Sequence, residues 1–96
     1  MKNIYVCTPF RGEEWKNIRI ADECCNHVLK EGHLPICTVN WLGRWIDVDT
    51  TDNKIIYLCL QYVKLCDEVW VFGEPTAGMQ EEIKFARELG KTIKEL

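Results

Sequence analysis

The 96-residue sequence lacks the features that mark several large classes of protein. It has no apolar run near the roughly 20 residues that a transmembrane helix needs. It enters a strand-like run at once, so we expect no signal peptide. It has no block of basic residues and its net charge is −3, which argues against general affinity for nucleic acid or an anionic membrane. We therefore expect a folded cytoplasmic protein that binds neither nucleic acid nor a membrane.

The sequence also lacks the short motifs of common catalytic and metal sites. It contains no G-x-G-x-x-G, no P-loop and no serine, histidine and aspartate arrangement of the hydrolase kind. Six cysteines are present, but they form no C-x-x-C pair, and His27 and His33 have no metal-ligand spacing to any of them. The cysteines fall inside regular apolar patterns instead. We expect buried, reduced thiols, no metal and no organic cofactor.

What the sequence does contain is an alternation of strand-like and helix-like segments. Strands are predicted at residues 4–7, 34–37, 66–72 and 91–94. Helices are predicted at 13–31, at 52–65, and from residue 77 after an N-cap at Thr76. This order predicts one small α/β domain over residues 1–96, with a Rossmann-like parallel sheet of about four strands in the order 2-1-3-4 and helices on both faces.

Two helical segments carry further expectations. The predicted apolar stripe of the first helix consists of Trp15, Ile18, Ala21, Cys25 and Val28. That helix should stop at Gly32. The segment 38–51 is the least regular, and we expect an irregular loop, with room for a helical turn, over the carboxyl edge of the sheet.

The stretch 72–86 reads as the end of a buried strand, a turn and the start of a helix. Gly78 permits a tight turn, and Met79 begins the helical face that packs on the sheet. Glu82 falls at the edge of that face, near the helix N-terminus. Because open α/β sheets bind ligands at the carboxyl ends of their strands, Glu82 is placed to act as a nucleophile.

The turn at residues 8–12, after the first strand, should face the start of this helix if strands one and three are neighbours. Arg11, the Thr76 hydroxyl and the backbone amides near Gly78 could then converge on one phosphate. Each residue also has a plainer interpretation: Arg11 as an exposed arginine, and Glu82, like Glu81 beside it, as a solvated charge. The residues alone indicate an α/β domain with a phosphate-accepting crevice.

Four motifs carry a family resemblance that spans residues 2–93. They are I-Y-V-C-T-P-F-R-G at 4–12, G-H-L-P at 32–35, C-D-E-V-W-V-F-G at 66–73, and T-A-G-M-x-x-E at 76–82 with Ala86 and Gly90-Lys91. Together they resemble the nucleoside 2-deoxyribosyltransferase superfamily, in particular its short bacterial and phage branch, and are similar also to the 2′-deoxynucleoside 5′-phosphate N-hydrolases. The resemblance implies a flavodoxin-like fold that attacks the N-glycosidic bond of deoxyribonucleosides or their 5′-phosphates.

The resemblance also implies roles for individual residues. Glu82 falls where the family carries its nucleophilic glutamate. Thr76 matches a serine that helps to hold the 5′-phosphate in the nucleotide N-hydrolases, a position held by an aspartate in the transferases. Thr8, Arg11 and Gly12 match the phosphate-facing turn of the same hydrolases. The substrate- or phosphate-binding residues that we predict around these motifs are Thr8, Pro9, Phe10, Arg11, Gly12, Thr76, Gly78 and Met79. Phe10 and Trp41 are the aromatic candidates to cover the base.

One departure from the family bears on activity. Cys59 stands where the family usually has an aspartate, and Asp52, about two helical turns and roughly 10 Å away, cannot replace it. Two functions therefore stay open. The chain is either a glycosidase or deoxyribosyltransferase with Glu82 as nucleophile, or a non-catalytic module that binds a nucleotide or a nucleotide-derived signal. A third alternative is an interaction domain whose tryptophan-rich loop is the binding surface.

The predicted second helix is apolar around more than half of its circumference, which is more than one sheet face can cover. We therefore predict a homodimer or a higher homo-oligomer built partly on this helix. The resemblance agrees, because members of the superfamily assemble.

Overall fold

The computed structural model describes residues 1–10, 13–40 and 53–96. Its elements in chain order are β1 (Asn3–Cys7), α1 (Glu14–Lys30), β2 (Leu34–Ile36), α2 (Asn53–Leu65), β3 (Glu68–Val71), α3 (Ala77–Glu88) and β4 (Thr92–Glu95). Residues 38–40 are also helical. The predicted succession of strands and helices is confirmed. The rest of the predicted loop lies outside the described residues. Within the described ranges no helix is long and apolar enough to cross a membrane.

The four strands form one parallel sheet in the predicted order β2-β1-β3-β4. β1 and β3 are the two central strands, and Cys7 at the end of β1 lies opposite Val71 at the end of β3. The chain leaves β1 toward one face of the sheet and leaves β3 toward the other. A crevice forms at such a point, beyond the carboxyl ends of two neighbouring strands.

Each face of the sheet carries its own apolar layer. The layer under α1 contains Ile4, Val6, Ala21, Cys24, Val28, Cys37, Val39 and Trp70. The layer under α2 and α3 contains Tyr5, Cys7, Val63, Cys66, Val69, Val71, Met79, Ile83 and Ala86. Because side chains alternate along a strand, Ile4 and Val6 face α1 whereas Tyr5 and Cys7 face the opposite way. Tyr5 is thereby placed in the layer that α3 covers.

The predicted stripe of α1 is partly wrong. Trp15 is 86% exposed, and Cys24 is buried where Cys25 is half-buried. The buried positions run back along the helix to Asn17, whose Nδ2 donates a hydrogen bond of 3.2 Å to the carbonyl oxygen of Phe10. A polar side chain therefore takes the first inward position of α1, where it holds the turn that follows β1.

A glycine ends α1, and a lysine side chain binds the carbonyl groups at the end of α2. Gly32 has a φ of +85°, which ends α1 as predicted. The Lys91 ammonium group donates hydrogen bonds to the carbonyl oxygens of Cys66, at 2.6 Å, and Lys64, at 3.0 Å. Carbonyl groups at the end of a helix lack partners within it, so Lys91 satisfies the end of α2 and ties it to the start of β4.

Candidate functional site

A cleft of about 230 Å³ lies at the carboxyl ends of β1 and β3, between α2 and the start of α3. Its lining residues are Thr8, Phe10, Ile55, Ile56, Cys59, Thr76, Ala77, Gly78, Met79 and Glu82. Apolar side chains form most of the wall, and a few polar groups converge within it. That combination is typical of a site for a small organic molecule.

The start of α3 forms one side of the cleft and is held by a reciprocal cap. Thr76 has extended backbone angles, and its Oγ1 accepts a hydrogen bond of 3.3 Å from the Met79 N–H. The Met79 sulfur in turn accepts a hydrogen bond of 3.4 Å from the Thr76 N–H. The remaining N–H groups of this first turn point out of the helix, where its dipole favours an anion.

Glu82 lies in the second turn of α3 and is the most deeply buried acid of the described chain. Its side chain is 9% exposed, and its Oε2 has no hydrogen-bond partner among the described residues. Burial raises the pKa of Glu82 from 4.5 to about 7, against the opposing effect of a hydrogen bond with Tyr5. Near neutral pH this carboxyl group is therefore divided between its acid and its carboxylate form.

Tyr5, Thr38 and Cys59 form a polar group beside Glu82. The Tyr5 hydroxyl lies 3.1 Å from the Thr38 Oγ1, which also accepts a hydrogen bond of 3.5 Å from the Cys59 thiol. Burial, followed by the charge of Glu82, raises the pKa of both Tyr5 and Cys59. Both groups are therefore neutral hydrogen-bonding partners at neutral pH, and Cys59 offers no ionised acid or thiolate to the cleft.

A smaller cavity of about 30 Å³ adjoins the cleft. Its lining residues are Tyr5, Val6, Thr8, Phe10, Thr38, Val39, Ile55, Cys59 and Glu82. Thr8 is 4% exposed, and its hydroxyl oxygen has no hydrogen-bond partner within the described ranges. Thr8 and Glu82 each line both spaces, so the cavity connects their side chains behind the cleft.

The structure brings together most of the residues predicted from the sequence. The predicted site residues that line the cleft are Thr8, Phe10, Thr76, Gly78, Met79 and Glu82. Pro9 is half-buried and is not among the lining residues. Arg11, Gly12, Trp41 and Asp52 lie outside the described residues. The prediction that Arg11 shares a crevice with Glu82 therefore stays a prediction.

Sequence reasoning missed the residues that surround Glu82 from other elements. Tyr5 carried a usable signal, because strand alternation places it on the same side of β1 as Cys7. Ile55 and Ile56 were assigned to an apolar helix but not to the site. Thr38 carried no signal, since its place beside Tyr5 depends on how β2 pairs with β1.

The cysteines are free thiols. Four of them are buried, namely Cys7, Cys24, Cys37 and Cys66, and Cys25 and Cys59 are half-buried. Across residues 1–10, 13–40 and 53–96 no group of three or more histidine, cysteine, aspartate or glutamate side chains could hold a metal ion.

Comparison with known proteins gives a family and a fold. A family model described as a domain of unknown function (DUF7768) matches residues 2–96. No curated protein sequence matches the chain significantly. The solved 2-desoxiribosyltransferase from Leishmania mexicana superposes with a TM-score of 0.73 at 17% identity, covering 100% of this chain and 64% of that one. The 2-deoxyribosyltransferase from Bacillus psychrosaccharolyticus superposes with a TM-score of 0.66 at 20% identity, covering 97% and 70% of the two chains.

These superpositions show that the fold is that of the 2-deoxyribosyltransferases. The resemblance found in the sequence motifs is thereby confirmed at the level of the fold. This chain spans less than two thirds of the length of the Leishmania protein. It contains the parallel sheet and the cleft described above.

Proposed function

The chain belongs to the DUF7768 family, and we propose that it binds a nucleoside or nucleotide in the cleft and cleaves its N-glycosidic bond through Glu82. The observation that carries this proposal is the position of the Glu82 carboxyl group. It is buried, has an unpartnered oxygen, and lines a largely apolar cleft at the carboxyl ends of the two central strands. The shared fold supports the proposal, since the two solved proteins are described as 2-deoxyribosyltransferases.

In the proposed reaction the ionised Glu82 attacks C1′ of the sugar. A bond forms between a carboxylate oxygen and C1′ as the bond to the base breaks, and the departing base keeps the electron pair and takes a proton from solvent water. Water or a second base then attacks C1′ and releases Glu82. Because attack requires the carboxylate and the pKa of Glu82 is about 7, activity should rise with pH through neutrality.

The start of α3 is the proposed site for a 5′-phosphate. The Thr76 oxygen accepts the capping bond from Met79, but its hydroxyl hydrogen remains able to donate to a phosphate oxygen. Backbone N–H groups around Gly78 and the positive end of the helix dipole favour the same anion. Arg11, expected there from the sequence, would add a charge-assisted bond.

The other end of the cleft is the proposed site for the base. Phe10, Ile55 and Ile56 provide apolar surface there. Cys59 lines the same cleft and feels the charge of Glu82, and its neutral thiol is a weak hydrogen-bond donor. The base therefore leaves without a strong protein acid, so the proposed turnover is slow.

The test is base release from a panel of 2′-deoxynucleosides and their 5′-monophosphates, followed by chromatography. Wild type should release a base from at least one of them, and Glu82→Gln should abolish release while leaving ligand affinity nearly unchanged. Glu81→Gln is the matched control, since Glu81 is the exposed neighbour on the same helix. A wild type that leaves every compound intact, or a Glu82→Gln variant that still turns over, contradicts the glycosidase proposal.

The second candidate is a non-catalytic module that binds the same ligand in the same cleft. The observation that favours it is that Cys59, which lines the cleft, is a neutral thiol and not a carboxylic acid that could protonate a leaving base. Its signature is a rise in the melting temperature with one member of the panel and no base release. A melting temperature that no member of the panel changes contradicts both candidates.

A further inference from the structure

Two buried oxygens belong to residues that line the small cavity next to the cleft. They are the Oγ1 of Thr8 and the Oε2 of Glu82, and neither has a hydrogen-bond partner among the described residues. A buried hydroxyl or carboxyl group without a partner is costly, so such groups are normally satisfied by protein or by an internal water. These two oxygens therefore call for a shared partner.

The neighbouring polar groups are already engaged. The Tyr5 hydroxyl pairs with Thr38, and the Cys59 thiol donates to the same Thr38 oxygen. The small cavity has room for a water molecule, because its volume of about 30 Å³ exceeds the roughly 10–15 Å³ that one water molecule needs. The lining is also polar enough to retain it.

We propose that Thr8 is a positioning residue for Glu82 and acts through one water molecule that its hydroxyl and the Glu82 Oε2 share in this cavity. The water donates one hydrogen bond to the carboxylate and forms a second hydrogen bond with the Thr8 hydroxyl. It therefore stabilises the ionised form of Glu82 and fixes the direction of its side chain. The consequence for catalysis rests on the proposed function, whereas the shared water itself does not.

Among the described titratable groups near Glu82, Tyr5 lowers the pKa of Glu82 through a hydrogen bond, but none of these groups donates a hydrogen bond to the Glu82 Oε2. These groups are Tyr5 and Cys7 on β1 and Cys59 on α2, and burial raises the pKa of each of them. All three are neutral around pH 7. Beyond burial, the described residue that changes the pKa of Glu82 is Tyr5. A bound water is thus the missing donor for the second carboxylate oxygen.

The experiment follows the titration of Glu82 by ¹³C NMR of carboxyl-labelled glutamate, assigned with Glu82→Gln. Thr8→Val removes the hydroxyl at nearly constant shape and should raise the titration midpoint by about 0.5–1 pH unit, the effect of one lost hydrogen bond to the carboxylate. Thr8→Ser keeps the hydroxyl and should titrate as wild type does. Thr92→Val, an exposed position on β4, is the matched control.

A crystal structure of the wild-type protein gives the second readout, with one ordered water expected within hydrogen-bond distance of both oxygens. The proposal is overturned if no water lies there, if Thr8→Val leaves the midpoint unchanged, or if Thr8→Ser shifts it as far as Thr8→Val does. Thr8→Ala is the second hydroxyl-free variant should Thr8→Val not fold.

Neither readout needs turnover, so the two proposals can fail separately. A shifted midpoint without any base release contradicts the glycosidase and leaves the positioning role of Thr8 standing. Base release with an unshifted Thr8→Val midpoint contradicts the positioning role alone. Where base release is found, the pH profile of kcat for Thr8→Val should move to higher pH by the same amount as the midpoint.

Discussion

Burial and ionisation oppose each other at Glu82, and the stability of the fold should depend on pH as a result. The pKa of Glu82 is raised from 4.5 to about 7, so the fold favours its protonated form. This contribution to stability is complete below pH 4.5 and is lost as the pH rises through 7. Glu82→Gln removes the charge and should increase the free energy of unfolding at pH 8 by about 2–3 kcal/mol relative to wild type.

Denaturant unfolding at pH 4.5 and pH 8 measures this difference. At pH 4.5 the variant and wild type should differ by well under about 1 kcal/mol, because Glu82 is then protonated in the folded state and about half protonated in the unfolded state. Glu81→Gln should show no such dependence on pH. A Glu82→Gln variant that is no more stable than wild type at pH 8 would mean that Glu82 ionises freely in the fold.

Replacing Cys59 with an acid should increase the proposed release of the base. Its side chain lines the cleft beside Glu82, so Cys59→Asp places a carboxyl group where the wild type has a neutral thiol. Two neighbouring carboxyl groups cannot both ionise easily, so one keeps its proton and can donate it to the leaving base. A positioned acid contributes typically ~10²–10⁴-fold, and base release should rise accordingly.

Cys59→Ser separates acid catalysis from a change in size, since it keeps a small polar group without a carboxyl proton. The rates of base release by the two variants are compared under single-turnover conditions. Equal rates for the two variants would show that an acid at this position does not assist the leaving base.

The Thr76 side chain caps α3, and in the proposed function it also binds the 5′-phosphate. Thr76→Ala removes the cap on the Met79 N–H and should lower the free energy of unfolding by about 1 kcal/mol. It should also weaken the binding of nucleoside 5′-monophosphates more than that of free nucleosides. Calorimetric titration with both ligands measures this, and Thr76→Ser should restore the cap and the selectivity. Equal losses for both ligands would argue against a phosphate at this helix end.

The end of α2 depends on a lysine from another part of the chain. Lys91→Met removes the ammonium group that bonds the carbonyl oxygens of Cys66 and Lys64, while it keeps most of the aliphatic chain. We expect a loss of about 1 kcal/mol in the free energy of unfolding, since the lost bonds are charge-assisted but partly exposed. Lys84→Met, at an exposed position of α3, should be nearly neutral in the same denaturant titration. Equal stability of the two variants would show that Lys91 does not secure this helix end.

The outer surface of α2 is the feature that favours association of whole molecules. Tyr57 is 63% exposed and Leu65 is 70% exposed on this helix, and both would be covered by a partner that packs on α2. We predict a homodimer that buries them. Light scattering at micromolar concentration should give twice the mass of the chain, and Tyr57→Lys with Leu65→Lys should give the monomer. Leu29→Lys, exposed on α1, is the control, and a monomeric wild type contradicts the prediction.

The sequence predicted the features that are encoded locally. Alternating strands and helices led to the correct sheet order, and one continuous stretch provided both the Thr76 cap and the helical phase of Glu82. Tyr5 and Thr38 were missed because they lie 33 residues apart in the sequence. Their contact forms only when the strands pair. Trp15 is predicted to face inward because it is apolar and three residues before Ile18, whereas the helical phase of the buried residues of α1 places Asn17 there.

The pairing of β1 with β3 also determines when the cleft can first exist during synthesis. The Asn3 N–H donates to the carboxylate of Asp67, 64 residues further along the chain. A ribosome that adds about 5–20 residues per second keeps β1 waiting roughly 3–13 s for that partner. Throughout this interval Tyr5 and Cys7 have neither β3 beside them nor α3 above them. The cleft is therefore a late product of translation, and a nascent chain arrested before α3 has emerged should lack the proposed nucleotide site.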